Sequence, residues 1–294
     1  MDHCMIPLKK VHQEFIEHLR KRSRSSSTVL AYGKDIDQLI VFLEELQKAH
    51  VHEITKEDLE AFMAKLTSQG YTAKSVSRKT NSTKTFFKFL KVQEYLTDDP
   101  AALLSHPKFE MRPPRILSKI EYAALRDACR HDSRTYAIVE LLLQTGIRIG
   151  ELSRIKTDNV KLAEGVKSGE LTVLPFEGND GRAIPLNHSA QEAIKAYLKI
   201  RPEAKEKSLF ITKTGKPLLI RNIRSTIDRY FKISEIPNAK VNDLRHTFVA
   251  HHLKRGASLV LVSKIAGHKR LSTTEKYLTY IERPSEEVSE LAEL

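Results

Sequence analysis

Four side chains scattered along a chain of 294 residues have the chemistry to handle a phosphodiester. TGIRIGEL at 145–152 exposes Arg148 just after a helix that Gly146 should end. VNDLRHTFVAHH at 241–252 sets Asn242 and Arg245 at i and i+3, on one helical face. AGHKRLSTTEKYLTY at 266–280 puts His268 after a helix-ending Gly267 and Tyr277 inside a short capped helix. Two guanidiniums without paired acids make a fork for the non-bridging oxygens of a phosphate. A phenol beside them can attack the phosphorus and hold a broken strand as a covalent ester, while an imidazole donates a hydrogen bond to the same group. Taken singly each is weak, because a lone Arg is usually a surface ion-pair partner and a helical Tyr is usually core.

Composition narrows the partner. Lys and Arg number 49 against 37 Asp and Glu, a net charge of +12, which attracts polyanions, nucleic acid foremost. The 2 cysteines, Cys4 and Cys129, cannot build a disulfide framework, so a reducing, cytoplasmic setting is expected. The most apolar stretch, AIVELLLQ at 137–144, is short and broken by Glu140, which suits a core helix and not a membrane span. MDHCMIPLKK carries no apolar signal core. His246, His251 and His252 do not share a helical face and have no acidic or Cys partner, so no metal site is expected.

These residues need elements to position them. Residues 1–94 read as an all-helical body. LKKVHQEFIEHLRKR lines up Val11, Phe15, Ile16 and Leu19. SSSTVLAYGKDIDQLIVFLEEL opens on cap-forming serines and carries Leu30, Ile36, Leu39, Ile40 and Leu43. ITKEDLEAFMAKL begins close to a capping box, Thr55 to Asp58. The fourth helix buries Phe86, Phe87 and Leu90 and exposes Lys74, Arg78, Lys79, Lys84 and Lys88, a face with no acid among the five cations that suits DNA phosphates. Residues 95–112, rich in proline, form a linker, and Pro113-Pro114 cannot continue a helix.

The second body, 113–294, mixes elements. Helices are expected at 118–130, 134–145, 189–200, 220–235, 243–255, 258–266 and 273–281, the last opened by a capping box from Ser272 to Glu275. LTVLPF and RAIPL flank a hairpin turn at EGNDG, and SLFIT and KPLLI flank another at KTG. The fold class is therefore mainly α, in two domains: a four-helix N-terminal domain and a helix-rich α+β domain with a small antiparallel sheet.

The ensemble resembles the tyrosine recombinase (phage integrase) family, especially its Xer-like and integron-like bacterial branches, over nearly the whole chain. SSSTVLAYGKDIDQLIVFL is similar to the start of the family's SAM-like core-binding domain, and FFKFLKVQEYLTDDPAALLSHPK to its end and linker. TGIRIGELSRIKTDNV and NDLRHTFVAHHLKRGASLVLVSKIAGHKRLSTTEKY match the catalytic boxes in order and spacing. The resemblance implies that Arg148 and Arg245 neutralise charge in a phosphorane-like transition state and that His268 hydrogen-bonds to it. It implies that Tyr277 forms a 3′-phosphotyrosyl link and expels a 5′-hydroxyl, with no cofactor, ATP or metal. It further implies that the two domains clamp duplex DNA and that a homotetramer or heterotetramer assembles on paired sites. The acidic SEEVSELAEL would dock on a neighbouring protomer.

Two positions depart from the family pattern. Asn242 stands where the arginine box usually begins with His, and an amide cannot shuttle a proton. His246, adjacent to Arg245 and pointing about 100° away from it round the helix, is expected to be a poor replacement. Glu177, in FEGNDGR, stands where a Lys that protonates the leaving 5′-oxygen is expected, and a carboxylate repels the phosphate. Lys167 or Arg182 would serve only in a different hairpin register. The leading expectation is a site-specific recombinase or integrase with reduced activity; the alternative is a catalytically impaired, DNA-binding accessory protein on the same fold. A type IB topoisomerase shares the Tyr/Arg chemistry, but the two-body layout fits a recombinase better.

Overall fold

The computed structural model describes residues 6–22, 24–110, 113–163 and 168–281. Cys4, Arg112, Lys167 and the SEEVSELAEL segment lie outside the described residues. The chain divides into two compact units, Met1–Met111 and Arg112–Leu294.

The first unit holds helices α1 (Leu8–Lys21), α2 (Ser26–Glu45), α3 (Lys56–Ser68) and α4 (Ala73–Val92). The starts of α2, α3 and α4 are fixed by side-chain caps from Ser25, Thr55 and Thr72, while Pro7 precedes α1 without one. Ser25 Oγ accepts the Thr28 N–H at 3.2 Å, and Thr55 and Asp58 exchange hydrogen bonds as a capping box. Phe15, Phe86 and Phe87 are fully buried, with the Phe15 and Phe86 rings edge to face at 5.2 Å. On α2 the inward stripe runs Val29, Ile36, Ile40 and Leu43. Leu30, expected inside, lies one residue off that stripe and is 61% exposed.

The basic face of α4 is smaller than its charge pattern suggests. Lys79 is not exposed: it is 6% accessible, and its Nζ donates to Asp35 Oδ1 at 2.9 Å and Gln38 Oε1 at 2.6 Å. Asp35 is buried on α2 and also accepts from Ser82 Oγ and Arg78. A buried carboxylate needs a cation close by, and Lys79 supplies it. Lys84 is half-buried and donates to the Ala102 carbonyl at 3.1 Å; Lys74, Arg78 and Lys88 stay on the surface.

The second unit is built on α5 (Lys119–Cys129), α6 (Ser133–Thr145), α8 (His188–Ile200), α9 (Ile220–Ile233) and α10 (Val241–Lys254), with the single turn α7 (Ile149–Leu152). Strands β1 (Val160–Lys161), β2 (Gly169–Val173) and β3 (Arg182–Leu186) make one antiparallel sheet, in register Leu171 to Ile184 and Val173 to Arg182. The chain finishes its described course with α11 (Leu259–Ala266), α12 (Ser272–Glu275) and a 3₁₀ turn, Lys276–Thr279. Apolar residues from α5, α6, α8 and α9 and from the sheet share one core with Leu244 of α10.

Two expected elements differ. SLFIT and KPLLI pair only around an isolated Ile211–Pro217 bridge, held by Thr212 N–H to Lys216 O at 2.8 Å and Leu218 N–H to Phe210 O at 3.0 Å; the pairing stops there because Leu209 N–H turns to Ile155 O and Leu219 already caps the next helix. The predicted helix at 273–281 is split, and it has no capping box. Leu271 is already helical at φ −58°, ψ −36°, so Ser272 sits inside the turn, one residue too late to cap it.

Candidate active site

The site is organised by the end of one helix. Helix α11 stops because Gly267 adopts φ +69°, the left-handed conformation that glycine takes without steric cost. Its last carbonyls therefore point outward at the negative end of the helix dipole, and three arginines collect there. Arg182 Nε donates to Ile265 O at 2.7 Å, Arg245 Nη1 to Ala266 O at 2.6 Å, and Arg148 Nη2 to Gly267 O at 2.6 Å. The two arginines singled out from the sequence are thus anchored on consecutive carbonyls. A Cβ on Gly267 would lie 2.7 Å from the Arg182 guanidinium, so glycine is needed here for space as well as for φ.

Glu151 locks this group. Its carboxylate takes two parallel bonds from Arg182, both 2.9 Å, one from Arg148 Nη1 at 3.0 Å, and the Arg148 backbone N–H at 2.7 Å. Burial raises its pKa, but the Arg182 bonds, the Arg148 N–H and both positive charges override that and hold it at about 2. Arg182 is consumed by this fork, so it cannot donate a proton to a leaving group, contrary to the role considered for it. Arg245 is 6% exposed, and burial together with the Arg148 charge lowers its pKa to about 10, leaving it cationic at neutral pH. Its Nη1 is held by Gly146 O and Ala266 O, while its Nε and Nη2 have no partner among the described residues. Three arginines against one glutamate leave a local excess of two positive charges, suited to a phosphodiester.

Helix α10 assigns a task to each residue of the VNDLRHT stretch. Asp243 accepts the Lys240 N–H at 2.8 Å and so caps the helix, Leu244 is core, Arg245 turns to the α11 carbonyls, and Thr247 Oγ1 accepts the Leu117 N–H at 2.8 Å. Asn242 is exposed and reaches neither arginine; its side-chain amide lies 2.8 Å from His246 Nε2. The other ring nitrogen, His246 Nδ1, is 2.5 Å from Tyr277 Oη. This overturns the expectation that His246 points away: the 3₁₀ turn carrying Tyr277 packs against the 242/246 face of α10, not the 242/245 face.

Tyr277 is 6% exposed, and burial raises its pKa, partly opposed by Arg245. Its ring stacks on His268 at 6.3 Å and 15°. His268 Nδ1 lies 2.7 Å from Thr274 Oγ1, and burial, then Arg245 and Arg148, depress its pKa to about 4, so it is neutral at pH 7. If Thr274 donates to Nδ1, His268 Nε2 carries the hydrogen and can donate to a phosphate.

Between β2 and β3 the turn is tighter than EGNDG suggests. Phe176 and Asn179 bond each other both ways, at 3.0 and 2.9 Å, and Glu177 and Gly178 alone span the tip with φ of +46° and +73°. Glu177 is exposed there. Lys269, which the sequence reading missed, brings its ammonium to this tip, 3.8 Å from where a Cβ on Gly178 would sit.

Residues 115–282 match the Phage integrase family, and residues 12–94 match the Phage integrase N-terminal SAM-like domain. The chain belongs to the phage integrase family of tyrosine recombinases. It is 31% identical to tyrosine recombinase XerC of Staphylococcus carnosus (strain TM300) over 280 residues, 92% of either chain. It is 29% identical to tyrosine recombinase XerD of Staphylococcus haemolyticus (strain JCSC1435), over 92% of this chain and 94% of that one. Among solved structures it is similar to XerA recombinase at 25% identity, with a TM-score of 0.52 over 91% and 93% of the two chains. The fold also matches a lambda integrase (75–356) dimer bound to a COC′ core site, with a TM-score of 0.74 at 19% identity over 91% and 97%. Glu151 and Lys269 were legible as letters inside the recombinase motifs, but nothing in their spacing disclosed what they touch. Among the described residues no group of His, Cys, Asp or Glu is placed to hold a metal, and no helix is long and apolar enough to cross a membrane.

Proposed function

We propose that this recombinase cleaves and rejoins duplex DNA at a specific site through a 3′-phosphotyrosyl intermediate. The single observation that carries this is the anchoring of Arg148 and Arg245 on adjacent carbonyls of α11, in the same cluster as the hydrogen-bonded Tyr277 phenol. A scissile phosphate placed against the free Nε and Nη2 of Arg245 and the half-exposed Arg148 has two guanidiniums on its non-bridging oxygens. His268 adds a neutral donor. Tyr277 Oη bonds to phosphorus, the P–O5′ bond breaks, and the ester keeps the energy for religation. The 5′-oxygen leaves with a proton from the Lys269 ammonium, which stands in for the Lys that Glu177 replaces. Lys74, Arg78 and Lys84 of α4 contact backbone phosphates, and four protomers, identical or of two kinds, act on paired sites.

The test uses duplex DNA selected by the full chain from a random-sequence pool, then nicked so that cleavage traps the covalent adduct. Wild type accumulates a protein–DNA adduct, and Tyr277→Phe gives none while binding equally well. A wild type that binds its selected DNA tightly yet forms no adduct contradicts the proposal. That outcome favours the second reading, a DNA-binding accessory protein, for which the exposed Glu177 carboxylate at the hairpin tip is the supporting observation. Glu177→Lys separates a damaged site, which gains cleavage, from one built without it.

A further inference from the structure

We propose that His246 is the group that takes the Tyr277 proton, and that Asn242 is the positioning residue holding His246 in the accepting tautomer. The inference rests on Tyr277 being the nucleophile and asks how a phenol with no His at position 242 is activated.

Both nitrogens of the His246 ring are engaged, Nδ1 with Tyr277 Oη at 2.5 Å and Nε2 with Asn242 Nδ2 at 2.8 Å. Asn242 and His246 are one helical turn apart on α10, which lets the amide reach the ring without distorting the helix. The amide can be turned over with its two terminal atoms exchanged and its shape unchanged. With the NH₂ toward Nε2, the orientation in which Asn242 Nδ2 stands 2.8 Å from that nitrogen, Nε2 accepts, Nδ1 carries the hydrogen, and it donates to the phenol oxygen; no base then faces Tyr277. With Oδ1 toward Nε2, Nε2–H donates to the amide and the Nδ1 lone pair receives the Tyr277 O–H. Only the second arrangement activates the nucleophile, and an amide, unlike a second imidazole, can hold it without titrating.

The step balances. The Tyr277 O–H bond breaks as Oη–P forms, the proton passes to Nδ1, P–O5′ breaks, and the 5′-oxygen takes its proton from Lys269. The resulting imidazolium has both N–H groups satisfied, one by the ester oxygen and one by Asn242 Oδ1. On religation the 5′-hydroxyl gives its proton to the Lys269 amine as O5′–P forms, the P–Oη bond breaks, and His246 returns its proton to the tyrosyl oxygen. The charged and titratable groups facing His246 are Asp243 and Arg245 on its own helix, His268 beyond α11, and Tyr277. Burial lowers the His246 pKa, Asp243 opposes that, and Arg245 adds to it, so the ring is neutral and able to accept at pH 7.

The experiment measures single-turnover adduct formation on the selected, nicked duplex, with the 5′-bridging oxygen either intact or replaced by sulfur. A thiolate leaves without a proton donor, so the sulfur substrate reports the base alone. His246→Gln keeps a hydrogen bond but no proton acceptor, and is expected to slow adduct formation about 10²–10⁴-fold on both substrates with unchanged DNA affinity. Asn242→Asp keeps the acceptor and makes the ring more basic, so the rising limb of the pH–rate profile moves up by about one pH unit. This second variant decides the matter if His246→Gln does not fold. The proposal is overturned if His246→Gln reacts within about threefold of wild type on the sulfur substrate, or if the Asn242→Asp profile does not move. Adduct formed by wild type, absent in Tyr277→Phe and formed by His246→Gln as fast as by wild type refutes this inference alone. Absence of adduct from wild type removes it together with the proposed function.

Discussion

Replacing Glu151 with Gln tests whether one buried carboxylate holds the arginine cluster together. Gln is nearly isosteric, so packing is preserved, while the charge between Arg148 and Arg182 is lost. The pKa of Glu151 falls from an ordinary 4.5 to about 2 on folding. A depressed carboxylate pKa stabilises the fold above the unfolded value and loses that stability as pH falls toward the folded one. The shift corresponds to about 3 kcal/mol at pH 7, of which about 2 kcal/mol has gone by pH 3. Urea unfolding followed by circular dichroism, run on wild type and Glu151→Gln at both pH values, should therefore show a gap that is large at neutral pH and much narrower in acid. The gap belongs to the unfolding transition of the unit Arg112–Leu294, which holds Glu151. A difference that stays constant between pH 7 and pH 3 refutes the reasoning, because it would mean that Glu151 carries no depressed charge in the fold.

Gly267→Ala forces a side chain into a left-handed position and drives its Cβ against the Arg182 guanidinium at 2.7 Å. Loss on the order of 3–5 kcal/mol is expected, from backbone strain and a broken buried ion pair, together with loss of adduct formation; urea unfolding and the nicked-substrate assay check both. On α4 the two kinds of cation separate cleanly. Lys79→Ala should cost roughly 2–3 kcal/mol of stability by leaving Asp35 undercompensated, measured by the same unfolding. Lys74→Ala should leave stability unchanged while the slope of log affinity against log salt falls by about 1. If Lys79→Ala instead lowers that slope with no loss of stability, its burial beside Asp35 is not what fixes its role.

Much of the fold was legible because local rules and packing agree. The Thr55–Asp58 box starts α3 where expected, Gly146 ends α6 in the left-handed region, and RAIPL forms β3 residue for residue. Motif order singles out Arg148, Arg245, His268 and Tyr277, and the structure brings these four side chains into one cluster. Where local and tertiary terms compete, letters were insufficient. Lys79 looked like a surface cation, but a carboxylate 44 residues earlier drew it inside. Ser272 looked like a cap, but its predecessor had already entered the turn.

The primary chain by itself determined the helical periodicities, the turn glycines and the motif order that marks the family, because each is written in residue types and their spacing along the chain. Tertiary structure alone decided which atoms meet. Gly267, remote from both Arg148 and Arg182 in sequence, orients the carbonyls that gather them, and the direction from which Tyr277 approaches α10 selects His246 over Asn242 as its hydrogen-bond partner. Hydrogen bonds and buried charges act over a few ångströms, and closeness on that scale between distant segments is set by how the helices pack, which no local pattern encodes.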